Sequence, residues 1–594
     1  MQKRNFKKYF KKKKESALIM RKQTKLVAVL STAALLAIGA SMTSFAAQGW
    51  AEEDGTWVYY DKNGDKVTEA WKKSGDNWYW LDDNGEMATD MLVEDDDNTY
   101  YVDANGVMVR NQWVAIENED AGEEDEPDNY WYYFQANGKA YKRSDNASTG
   151  AINAKTINGK KYAFDTDGKM LYGWVVDGER QTDDDAWKDE DAYYFGDEND
   201  GAMSIGWRLI SITDDDAESA EPGDEFWDED QDRWFWFKSS GKKQVSKDNK
   251  TINGKKYGFD EYGRMIASWY AADVTATTST AKTPLATDGE VQGTASYSEG
   301  FMFFSDPESG ARYTKGWFKV IPGYYLHESK YNDGDEYWYY ADGDGNIYSN
   351  VIKTIKGKKY AFDSYGRMIS GLVFLEMTSP ETSSEIAMKY ADDAGAYDKS
   401  NTNAYKGDGN TGAYDTEDNF DEFVKDHQTE IADGTVRCYY FGGSDDGAMK
   451  TGKQTVSIDG DSFSFKFKTG SNLKGAGING FDDDKLYTAG KQIKADKDDK
   501  YKVYKVTTGA NNYCLVEDLT VNEFFTQTGA TSKHDDKKEE TTWTIPDSAY
   551  TTNVKYYLLN TSGSVIKNKT GAKDADDYKF NVKNKVITSV VLED

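Results

Sequence analysis

Cysteine and histidine are scarce in this chain of 594 residues. Its two cysteines, Cys438 and Cys514, are too few for the disulfide framework that holds small secreted domains together, although a secreted protein can pair two. Cys438 lies in a strand-like run, RCYYF, and is expected to be buried. The three histidines, His327, His427 and His534, lack the spacing of a metal site or a catalytic triad, and we expect each to be solvated.

Recognisable enzyme motifs are also absent from the sequence. Among so many acidic residues some carboxylate pair always has the spacing used by glycosidases, so such a pair carries no signal. The oxygen-rich DGDGN at residues 342–346 resembles part of a calcium loop, but it lacks the far glutamate and a hairpin turn explains it equally well. We therefore expect no enzyme, no metal site and no cofactor.

Long apolar runs are limited to residues 26–40, which follow a stretch rich in lysine and arginine and precede the small residues Ser44 and Ala46. This order is typical of a secretory signal peptide over residues 1–46, with Met20 as an alternative start. A membrane-spanning helix needs about 20 apolar residues, more than this run has. Neither a second apolar segment nor an LPxTG-like sorting motif follows. We therefore expect a secreted chain whose attachment to any surface is non-covalent.

Acidic residues far outnumber basic residues after that leader. Residues 47–594 contain 61 basic and 103 acidic residues, a net charge of −42. Such a charge repels nucleic acid and anionic lipid, and it attracts cations and cationic ligands. Nucleic-acid binding is therefore excluded as a function class.

What the chain has in abundance is a short aromatic and glycine motif that recurs from Trp50 to about residue 477. Its clearest form is KTINGKKYAFDTDGKMLYGW at residues 155–174, and close copies occupy residues 250–269 and 353–372. A fixed repeat of this kind predicts an array of units that bury their apolar faces only against their neighbours. Arrays of this kind mostly bind rather than catalyse.

The segment WVYYDKNGDKVTEAW, at residues 57–71, predicts a β-hairpin and hence an all-β fold. A strand-forming run is followed by Asp-Lys-Asn-Gly and by a short return strand. Asn-Gly favours a type I′ turn, which needs positive φ at both central residues. The alternation places Trp57 and Tyr59 on one face and Val58 and Tyr60 on the other. One face can then pack while the other stays available to a ligand.

The hairpins are grouped into a longer repeat. The first threonines of the three KTI units, Thr156, Thr251 and Thr354, are 95 and 103 residues apart, which corresponds to three hairpins per superrepeat. Other aromatic copies occupy residues 78–87, 100–108, 131–140, 193–207, 234–242, 301–317, 337–346 and 439–452.

Acidic and polar insertions interrupt the array, and a different region follows it. The shorter insertions are residues 117–128, 183–191 and 214–232, and the longer ones are residues 271–298 and 378–435. The composition of the two longer insertions predicts surface loops or disorder. Residues 478–594 retain strand-like alternation and are interpreted as degenerate repeats or a small β-rich cap domain.

The units resemble the cell-wall-binding repeats of Gram-positive surface proteins, also called choline-binding or glucan-binding repeats. The family pattern appears in GWAEEDGTWVYYDKNG at residues 49–64 and in GAMSIGW at residues 201–207, and the TINGKKYAFD form is similar to repeats of large clostridial toxins. The resemblance covers roughly residues 49–477. It implies a β-solenoid of stacked hairpins with ligand sites at the junctions between units.

The resemblance also implies the ligands and the residues that contact them. In one branch of the family two or three aromatic rings and a methionine enclose a quaternary ammonium group, and in the others related hairpins hold carbohydrate. A cation–π contact contributes about 0.5–2 kcal/mol, so several rings must converge. The implied ligand-binding residues are Trp50, Trp57, Tyr59 and Trp71 near the first junction; Trp78, Trp80 and Met87 near the next; and then Trp113 with Trp131, Trp174 with Tyr194, Trp207 with Trp234, Trp269 with Phe303, and Trp317 with Trp338.

Three junctions depart from the pattern, because Asp90-Met91 and Gly371-Leu372 replace the expected Gly-Trp and the unit at Tyr439 lacks its closing tryptophan. Many of the rings and most of the turn methionines are expected to pack rather than to bind. Three functions stay open. The first is a wall-associated binding protein held by choline-decorated teichoic acid or polysaccharide. The second is an adhesin or toxin-like glycan-binding module, and the third is the targeting arm of a wall hydrolase.

Overall fold

A computed structural model describes residues 48–593, apart from 124, 145–146, 148–151, 214–230, 272–297, 299, 325, 391–415 and 510–513. The predicted leader lies outside the described residues, and so do most of the insertions at 214–232 and 271–298. A boundary between two compact units falls between Leu171 and Tyr172. Among the described residues, no helix is both long and apolar enough to cross a membrane.

The first unit consists of successive two-stranded antiparallel hairpins, each formed by consecutive strands. Its strands are β1 (Gly49–Glu53), β2 (Thr56–Tyr60), β3 (Ala70–Ser74), β4 (Asn77–Leu81), β5 (Met91–Asp95), β6 (Asn98–Val102), β7 (Gln112–Glu117), β8 (Asn129–Phe134), β9 (Lys155–Ile157) and β10 (Lys160–Tyr162).

The second unit continues the same pattern up to about residue 440. Its repeat strands are β11 (Trp174–Val176), β12 (Glu179–Arg180), β13 (Tyr193–Tyr194), β14 (Gly206–Ile212), β15 (Gln231–Phe237), β16 (Lys247–Ile252), β17 (Lys255–Phe259), β18 (Ser268–Ala271), β19 (Phe301–Phe304), β20 (Gly316–Val320), β21 (Tyr337–Ala341), β22 (Val351–Ile355), β23 (Lys358–Phe362), β24 (Leu372–Met377), β25 (Ile386–Lys389) and β26 (Val436–Tyr440). The prediction of a mostly β chain built from antiparallel hairpins is confirmed.

The hairpin turn lies elsewhere than the sequence predicts. The strand that pairs with Thr56–Tyr60 precedes it, and the two are joined at Asp54-Gly55, where φ is 51° and 85°. These two positive angles are those of the predicted type I′ turn. The turn at Asn63-Gly64 follows the hairpin instead and leads to a single bridge between Tyr60 and Lys66.

The second turn is organised by an aspartate side chain, which the Asn-Gly rule does not consider. Asp61 accepts a hydrogen bond from the backbone N–H of Asn63 on its carboxylate (2.8 Å) and one from the N–H of Gly64 on its carbonyl oxygen (3.1 Å). A short acidic side chain that bonds the backbone two residues on favours this local turn. The same carboxylate contact recurs at Asp82, Asp103, Asp165, Asp260, Asp342 and Asp363.

Each turn then returns the chain to the preceding hairpin. The N–H of Met87 donates to the carbonyl oxygen of Trp57 (2.7 Å), and Met108 repeats this contact on Trp78 (2.8 Å). In the second unit, Met368 does the same on Trp338 (2.7 Å). Consecutive hairpins are thereby joined by backbone hydrogen bonds as well as by side chains.

The turn methionines pack against the glycine of the next turn. A Cβ atom on Gly106 would lie 2.9 Å from the sulfur of Met87, and one on Gly138 would lie 2.5 Å from that of Met108. The prediction that these methionines mainly fill the core is therefore confirmed at these turns. This packing of a methionine on the next glycine also gives a reason why both residues recur in successive repeats.

The insertion at 378–435 is only partly what the sequence predicts. Its described residues include β25 and two helices, α2 (Glu417–Asp426) and α3 (Gln428–Asp433), which follow α1 (Glu328–Asp333) along the chain. Phe420 and Phe423 of α2 are fully buried, with ring centroids 5.4 and 4.5 Å from that of Phe374. The prediction of a loop here is wrong, because apolar residues three positions apart form one helix face that packs on the sheet.

The C-terminal part of the chain forms larger sheets. Its elements are β27 (Gly452–Ile458), β28 (Asp461–Phe467), β29 (Gly480–Asp482), β30 (Lys485–Thr488), β31 (Lys491–Ile493), β32 (Tyr501–Thr508), β33 (Cys514–Leu519), α4 (Val521–Thr528), β34 (Thr531–Asp535), β35 (Glu540–Thr544), β36 (Val554–Asn560), β37 (Lys569–Lys573), β38 (Lys579–Lys583) and β39 (Val586–Glu593). The strand orders are β27-β28-β31-β30-β29, β33-β32-β36 and β34-β35-β39-β38-β37. The last two sheets share a core, in which Phe524 of α4 is fully buried with Val503, Tyr556 and Phe580.

Candidate functional site

Seven tryptophans stand at the start of a hairpin, each opposite an aromatic residue of the second strand: Trp50, Trp71, Trp113, Trp174, Trp207, Trp269 and Trp317. Four of them follow a glycine, and we call all seven the junction tryptophans. Trp50 pairs in register with Tyr59, and their ring centroids lie 5.4 Å apart at an interplanar angle of 81°. Trp71 and Trp80 are 5.3 Å apart at 61°. Such edge-to-face pairs are a favoured geometry for aromatic rings.

A third ring comes from the following hairpin. The centroid of Tyr79 lies 5.3 Å from that of Trp50, and the centroid of Tyr100 lies 5.1 Å from that of Trp71. Each junction tryptophan therefore touches one ring of its own hairpin and one ring of the next. The complete set of first, second and third rings is Trp50, Tyr59, Tyr79; Trp71, Trp80, Tyr100; Trp113, Tyr133, Tyr162; Trp174, Tyr194, Phe235; Trp207, Trp236, Tyr257; Trp269, Phe303, Tyr339; and Trp317, Tyr340, Tyr360.

Three of these junctions adjoin a KTI hairpin and share one geometry. The tyrosine of the KTI hairpin lies 4.8 Å from Trp113, 4.9 Å from Trp207 and 4.8 Å from Trp317, measured between ring centroids. A phenylalanine two residues further on lies 5.8, 5.7 and 5.7 Å from the same three tryptophans. The same cluster therefore recurs with the superrepeat, once in the first unit and twice in the second.

Two of the three clusters contain a further tyrosine just after the turn. Tyr141 stacks on Tyr133 with centroids 5.7 Å apart and planes 12° apart, and Tyr348 stacks on Tyr340 at 5.3 Å and 7°. Gln244 occupies the corresponding position beside Trp207, where its side chain donates to the carbonyl oxygen of Val245. We refer to the five rings of Trp113, Tyr133, Tyr141, Tyr162 and Phe164 as the Trp113 cluster. The five rings of Trp317, Tyr340, Tyr348, Tyr360 and Phe362 are called the Trp317 cluster.

Exposure differs between the clusters. All seven junction tryptophans are half-buried, so part of each indole is accessible to a ligand. Beside Trp207 and Trp317 the third rings, Tyr257 and Tyr360, are half-buried as well. By contrast, Phe235 and Tyr339, the third rings beside Trp174 and Trp269, are fully buried. The most open arrangements therefore lie beside Trp207 and Trp317, whereas the third ring beside Trp113, Tyr162, is buried.

Carboxylates approach several of the rings. The indole N–H of Trp71 donates to Asp95 (3.1 Å), and that of Trp338 donates to Asp445 (3.0 Å). Burial and the nearby carboxylate of Asp342 raise the pKa of Tyr348, so its phenol is neutral at physiological pH. Half-exposed neutral rings with carboxylates nearby can bind a quaternary ammonium group on their faces, or the apolar face of a sugar.

The structure regroups several residues that the sequence assigns to the sites. Trp57, Trp78 and Trp131 lie two positions before the second ring on their strands, and they pair in register with Glu52, Lys73 and Ala115. Trp71 belongs to the second junction rather than the first, because it pairs with Trp80. Met87 packs on Gly106.

The remaining predicted pairs are brought together. Trp174 with Tyr194 and Trp269 with Phe303 are direct cross-strand contacts, at 5.0 and 5.2 Å between ring centroids. Trp207 with Trp234 and Trp317 with Trp338 are more distant neighbours, with ring centroids at 6.1 and 6.3 Å.

Sequence reasoning missed the third ring of every cluster. Its signal was present, since each third ring sits one residue before the second-ring position of the next aromatic strand. The resemblance assigned rings by their position in the repeat, but the contact depends on how far one hairpin is shifted along the next. The missed rings are Tyr79, Tyr100, Tyr162, Phe235, Tyr257, Tyr339 and Tyr360, together with the cross-strand rings Tyr133, Trp236 and Tyr340.

Two junctions have leucine where the others have tryptophan. Leu92 stands opposite Tyr101, and Leu372 stands opposite Tyr440. Both leucines are half-buried and pack against neighbouring hydrophobic clusters. The hairpin therefore forms without the tryptophan, although the aromatic cluster does not.

Neither of the two cysteines belongs to these aromatic clusters. Cys438 is buried as predicted, Cys514 is half-buried, and both are free thiols. Burial raises the pKa of Cys514 to about 11 and that of Cys438 well above its usual range. Thiols so hard to ionise are poor nucleophiles.

The prediction of three solvated histidines is wrong for His327. This residue is fully buried, and its ring centroid lies 4.1 Å from that of Tyr365. His427 is half-buried and stacks on Phe423 at 4.2 Å. The loop at 342–346 is a hairpin turn in which Asp342 accepts the N–H groups of Asp344 and Asn346. Within the described ranges no group of three or more His, Cys, Asp or Glu side chains has the arrangement of a metal site.

Sequence comparison identifies the repeats. Residues 67–113 match the choline-binding repeat family, and residues 126–140 match the putative cell wall binding repeat family. The chain therefore carries choline-binding, or cell-wall-binding, repeats and resembles pneumococcal choline-binding proteins, which indicates a cell-surface location. No curated protein matches the chain in sequence.

Solved structures of the same kind are similar to it at low identity. The modular autolysin LytC from Streptococcus pneumoniae matches with 15% identity and a TM-score of 0.27 over 56% of this chain, which spans only 55% of the autolysin. Choline binding protein F from the same organism matches with 17% identity and a TM-score of 0.23 over 55% of this chain and 100% of its own. The choline binding domain of Spr1274 from that organism matches with 24% identity and a TM-score of 0.12, over 16% and 95% of the two chains.

Proposed function

We propose that this chain is a secreted, non-catalytic binding protein that attaches non-covalently to the cell wall by holding choline groups of wall polymers in its aromatic clusters. The observation that carries the proposal is the same three-ring contact around each of the seven junction tryptophans, all of them half-exposed. Convergent ring faces are what a quaternary ammonium needs, since each cation–π contact contributes only about 0.5–2 kcal/mol.

The charge of the chain supports a cationic ligand. Residues 47–594 have a net charge of −42, and the carboxylates of Asp95 and Asp445 lie within hydrogen-bond distance of indole rings. Such a field raises the local concentration of cations. Repeated weak sites on one chain would bind a choline-bearing polymer much more tightly than any single site binds choline.

Calorimetric titration of residues 47–594 with choline chloride tests the proposal. We expect several weak sites per chain. The matched variant is Trp317→Leu combined with Trp207→Leu, because leucine already occupies this position at Leu92 and Leu372 and the hairpin still forms. The variant should lose two sites, whereas Trp57→Phe combined with Trp78→Phe should retain all of them. Unchanged stoichiometry in the leucine variant would contradict the assignment of the clusters.

A second titration separates choline from the main alternative ligand. The nearly parallel pairs Tyr133–Tyr141 and Tyr340–Tyr348 offer flat faces that also suit a sugar ring. A response to soluble glucan, with none to choline, would identify the chain as a glycan-binding module of the adhesin or toxin type.

The non-catalytic part of the proposal has its own test. We expect a suspension of choline-bearing cell walls to bind the protein without clearing, and free choline to elute it. Progressive loss of turbidity would show wall hydrolysis and would make the repeats the targeting arm of an enzyme.

A further inference from the structure

We infer that Lys491 and Asp421 join in an intramolecular amide bond, with Glu417 as the group that moves a proton during the reaction. The bond links the first turns of α2 to strand β31 and releases one molecule of water. It lies outside the aromatic clusters, and it does not depend on the proposed function.

The three side chains meet at one nitrogen atom. Nζ of Lys491 donates to both carboxylate oxygens of Asp421, at 2.8 and 2.9 Å. Oε1 of Glu417 lies 2.7 Å from the same nitrogen. Contact with both oxygens of one carboxyl group places the nitrogen opposite the carbon between them, at roughly the 3–3.5 Å of a reactive arrangement. The nitrogen is therefore held beside an acyl carbon and a second carboxylate at once.

The local structure explains why both acids reach the same lysine. Glu417 and Asp421 are four residues apart in α2, and side chains at that spacing lie on one face of a helix. Lys491 begins β31 and pairs in register with Phe465 of β28. Asp421 and Lys491 are 70 residues apart in the chain. Only the folded state therefore brings the two reacting groups together.

The lysine is buried against aromatic rings. Only 7% of Lys491 is exposed, and its Nζ lies 5.5 Å from the ring centroid of Phe420 and 4.9 Å from that of Phe463. Both rings belong to one buried hydrophobic cluster. A buried charge carries a desolvation cost even when it is paired. Amide formation removes that cost, because a neutral group replaces an ammonium and a carboxylate.

Asp421 is suited to be the carboxyl group that reacts. Its side chain lies at the rim of the site and is partly exposed, so the released water has a path to solvent. Partial burial raises the pKa of Asp421, and this effect outweighs the opposing effect of Lys491. A higher pKa increases the share of protonated carboxyl groups, and a protonated carboxyl group can lose its hydroxyl as water.

The reaction balances without an added reagent. A proton passes from the Lys491 ammonium to the Asp421 carboxylate, which gives an amine and a carboxylic acid. Nζ attacks Cγ of Asp421, and a C–N bond forms. Glu417 accepts a proton from the nitrogen and delivers it to the carboxyl hydroxyl, which leaves as water when the C–O bond breaks. Glu417 ends unchanged, and no atom is oxidised or reduced.

Mass spectrometry of residues 47–594, purified in the folded state and then denatured, tests the inference. We expect the main species to be lighter than the sequence mass by one molecule of water. Tryptic digestion should release residues 407–425 joined to residues 486–494, because trypsin does not cleave after an acylated lysine. A wild-type chain with the full sequence mass would overturn the inference, and so would a loss of water located at other residues.

Three variants assign the roles of the side chains. Lys491→Arg keeps the positive charge that holds α2 on the sheet but removes the nucleophilic amine, so it should have its full sequence mass. Glu417→Gln should also keep its full mass, since a glutamine cannot accept the proton. Glu422→Gln is the matched control, because Glu422 is exposed on the same helix, and this variant should still lose one water.

The variants separate the bond from the roles of its residues. Loss of water in Lys491→Arg would overturn the assignment of the bond to Lys491. Loss of water in Glu417→Gln at the wild-type extent would overturn only the role of Glu417, because the bond would then form without it. Choline binding is untouched by any of these outcomes, so the inference and the proposed function stand or fall separately.

Discussion

The repeat region and the C-terminal region use strand-rich sequence in opposite ways. Residues 47–477 contain 44 basic and 84 acidic residues, a net charge of −40, whereas residues 478–594 contain 17 and 19, a net charge of −2. Sixteen of the 17 tryptophans lie at or before Trp338, and only Trp543 belongs to the C-terminal region. The ring clusters and the charge that attracts cations are thus concentrated in the same part of the chain.

The two regions also differ in how they bury their apolar residues. In the first unit the buried clusters are small, such as the one around Val93, Tyr100 and Val102, and they are formed by neighbouring hairpins. In the C-terminal region one cluster joins Phe524 of a helix to strands far apart in sequence. Local cores predict stepwise stability, since each repeat contacts only its neighbours, whereas a shared core predicts a single cooperative transition.

The largest effect is expected from a substitution in the shared core of the C-terminal region. Phe524→Ala should destabilise the C-terminal region by about 3–5 kcal/mol, because it removes a fully buried aromatic ring. Hydrogen exchange followed by mass spectrometry should show residues 501–593 losing protection together.

Tyr79→Leu is the counterpart in the repeats, where Tyr79 is also buried. Its effect should stay within residues 49–108, that is, its own hairpin and those on either side. Two outcomes would contradict the distinction between shared and local cores. In Phe524→Ala, protection would be lost only in α4. In Tyr79→Leu, it would be lost along the whole first unit.

A smaller effect tests how the turns pack. A Cβ atom on Gly310 would lie 2.2 Å from the sulfur of Met265, and the residue has φ of 56°. Gly310→Ala should therefore combine left-handed strain with a steric clash and lower the free energy of unfolding by about 2–4 kcal/mol.

Gly357→Ala is the matched control, because that glycine has φ of 83° but no atom within 4 Å of a new Cβ. It should cost only the strain, about 1–2 kcal/mol. Thermal melting of the two variants measures the difference, and equal losses would mean that Met265 moves aside freely.

The smallest effect concerns pH in the C-terminal region. Burial raises the pKa of Asp574 from its usual 3.8 to about 6, so the folded state holds this proton more tightly than the unfolded state. The contribution of Asp574 to stability should therefore increase as the pH falls from about 6 towards 4, and decrease as the pH rises through that range.

Asp574→Asn should remove the part of the pH dependence of stability that Asp574 causes. That part corresponds to a shift of a few degrees in the melting temperature of the C-terminal region. The comparison is made between wild type and variant at pH 4.5 and pH 7.5, since other carboxylates titrate in both proteins. A melting-temperature difference between the two proteins that is the same at both pH values would rule out Asp574 as the source.

Local rules succeeded where a feature depends on a few consecutive residues. Alternation in TWVYY predicts two different faces, and in the structure Val58 is buried whereas Trp57 and Tyr59 are half-buried. The same rules misplaced the type I′ turn, because an Asn-Gly pair after Asp61 looks the same in sequence whether it joins two long strands or follows a finished hairpin. They also missed the helix at Glu417–Asp426, whose apolar face is recognisable only against the sheet that it covers.

The sequence by itself determined the hairpin, its period and its acidic character, because each of these follows from residue types at short spacing. Which rings form a cluster was decided only by the tertiary structure. The shift of one hairpin on the next brings Tyr79 to Trp50 and Tyr360 to Trp317. That shift is fixed by backbone hydrogen bonds such as the one from Met87 to Trp57. A backbone hydrogen bond leaves no residue-specific signal in the sequence. The sequence therefore indicates that aromatic clusters form, but not which rings belong to each cluster.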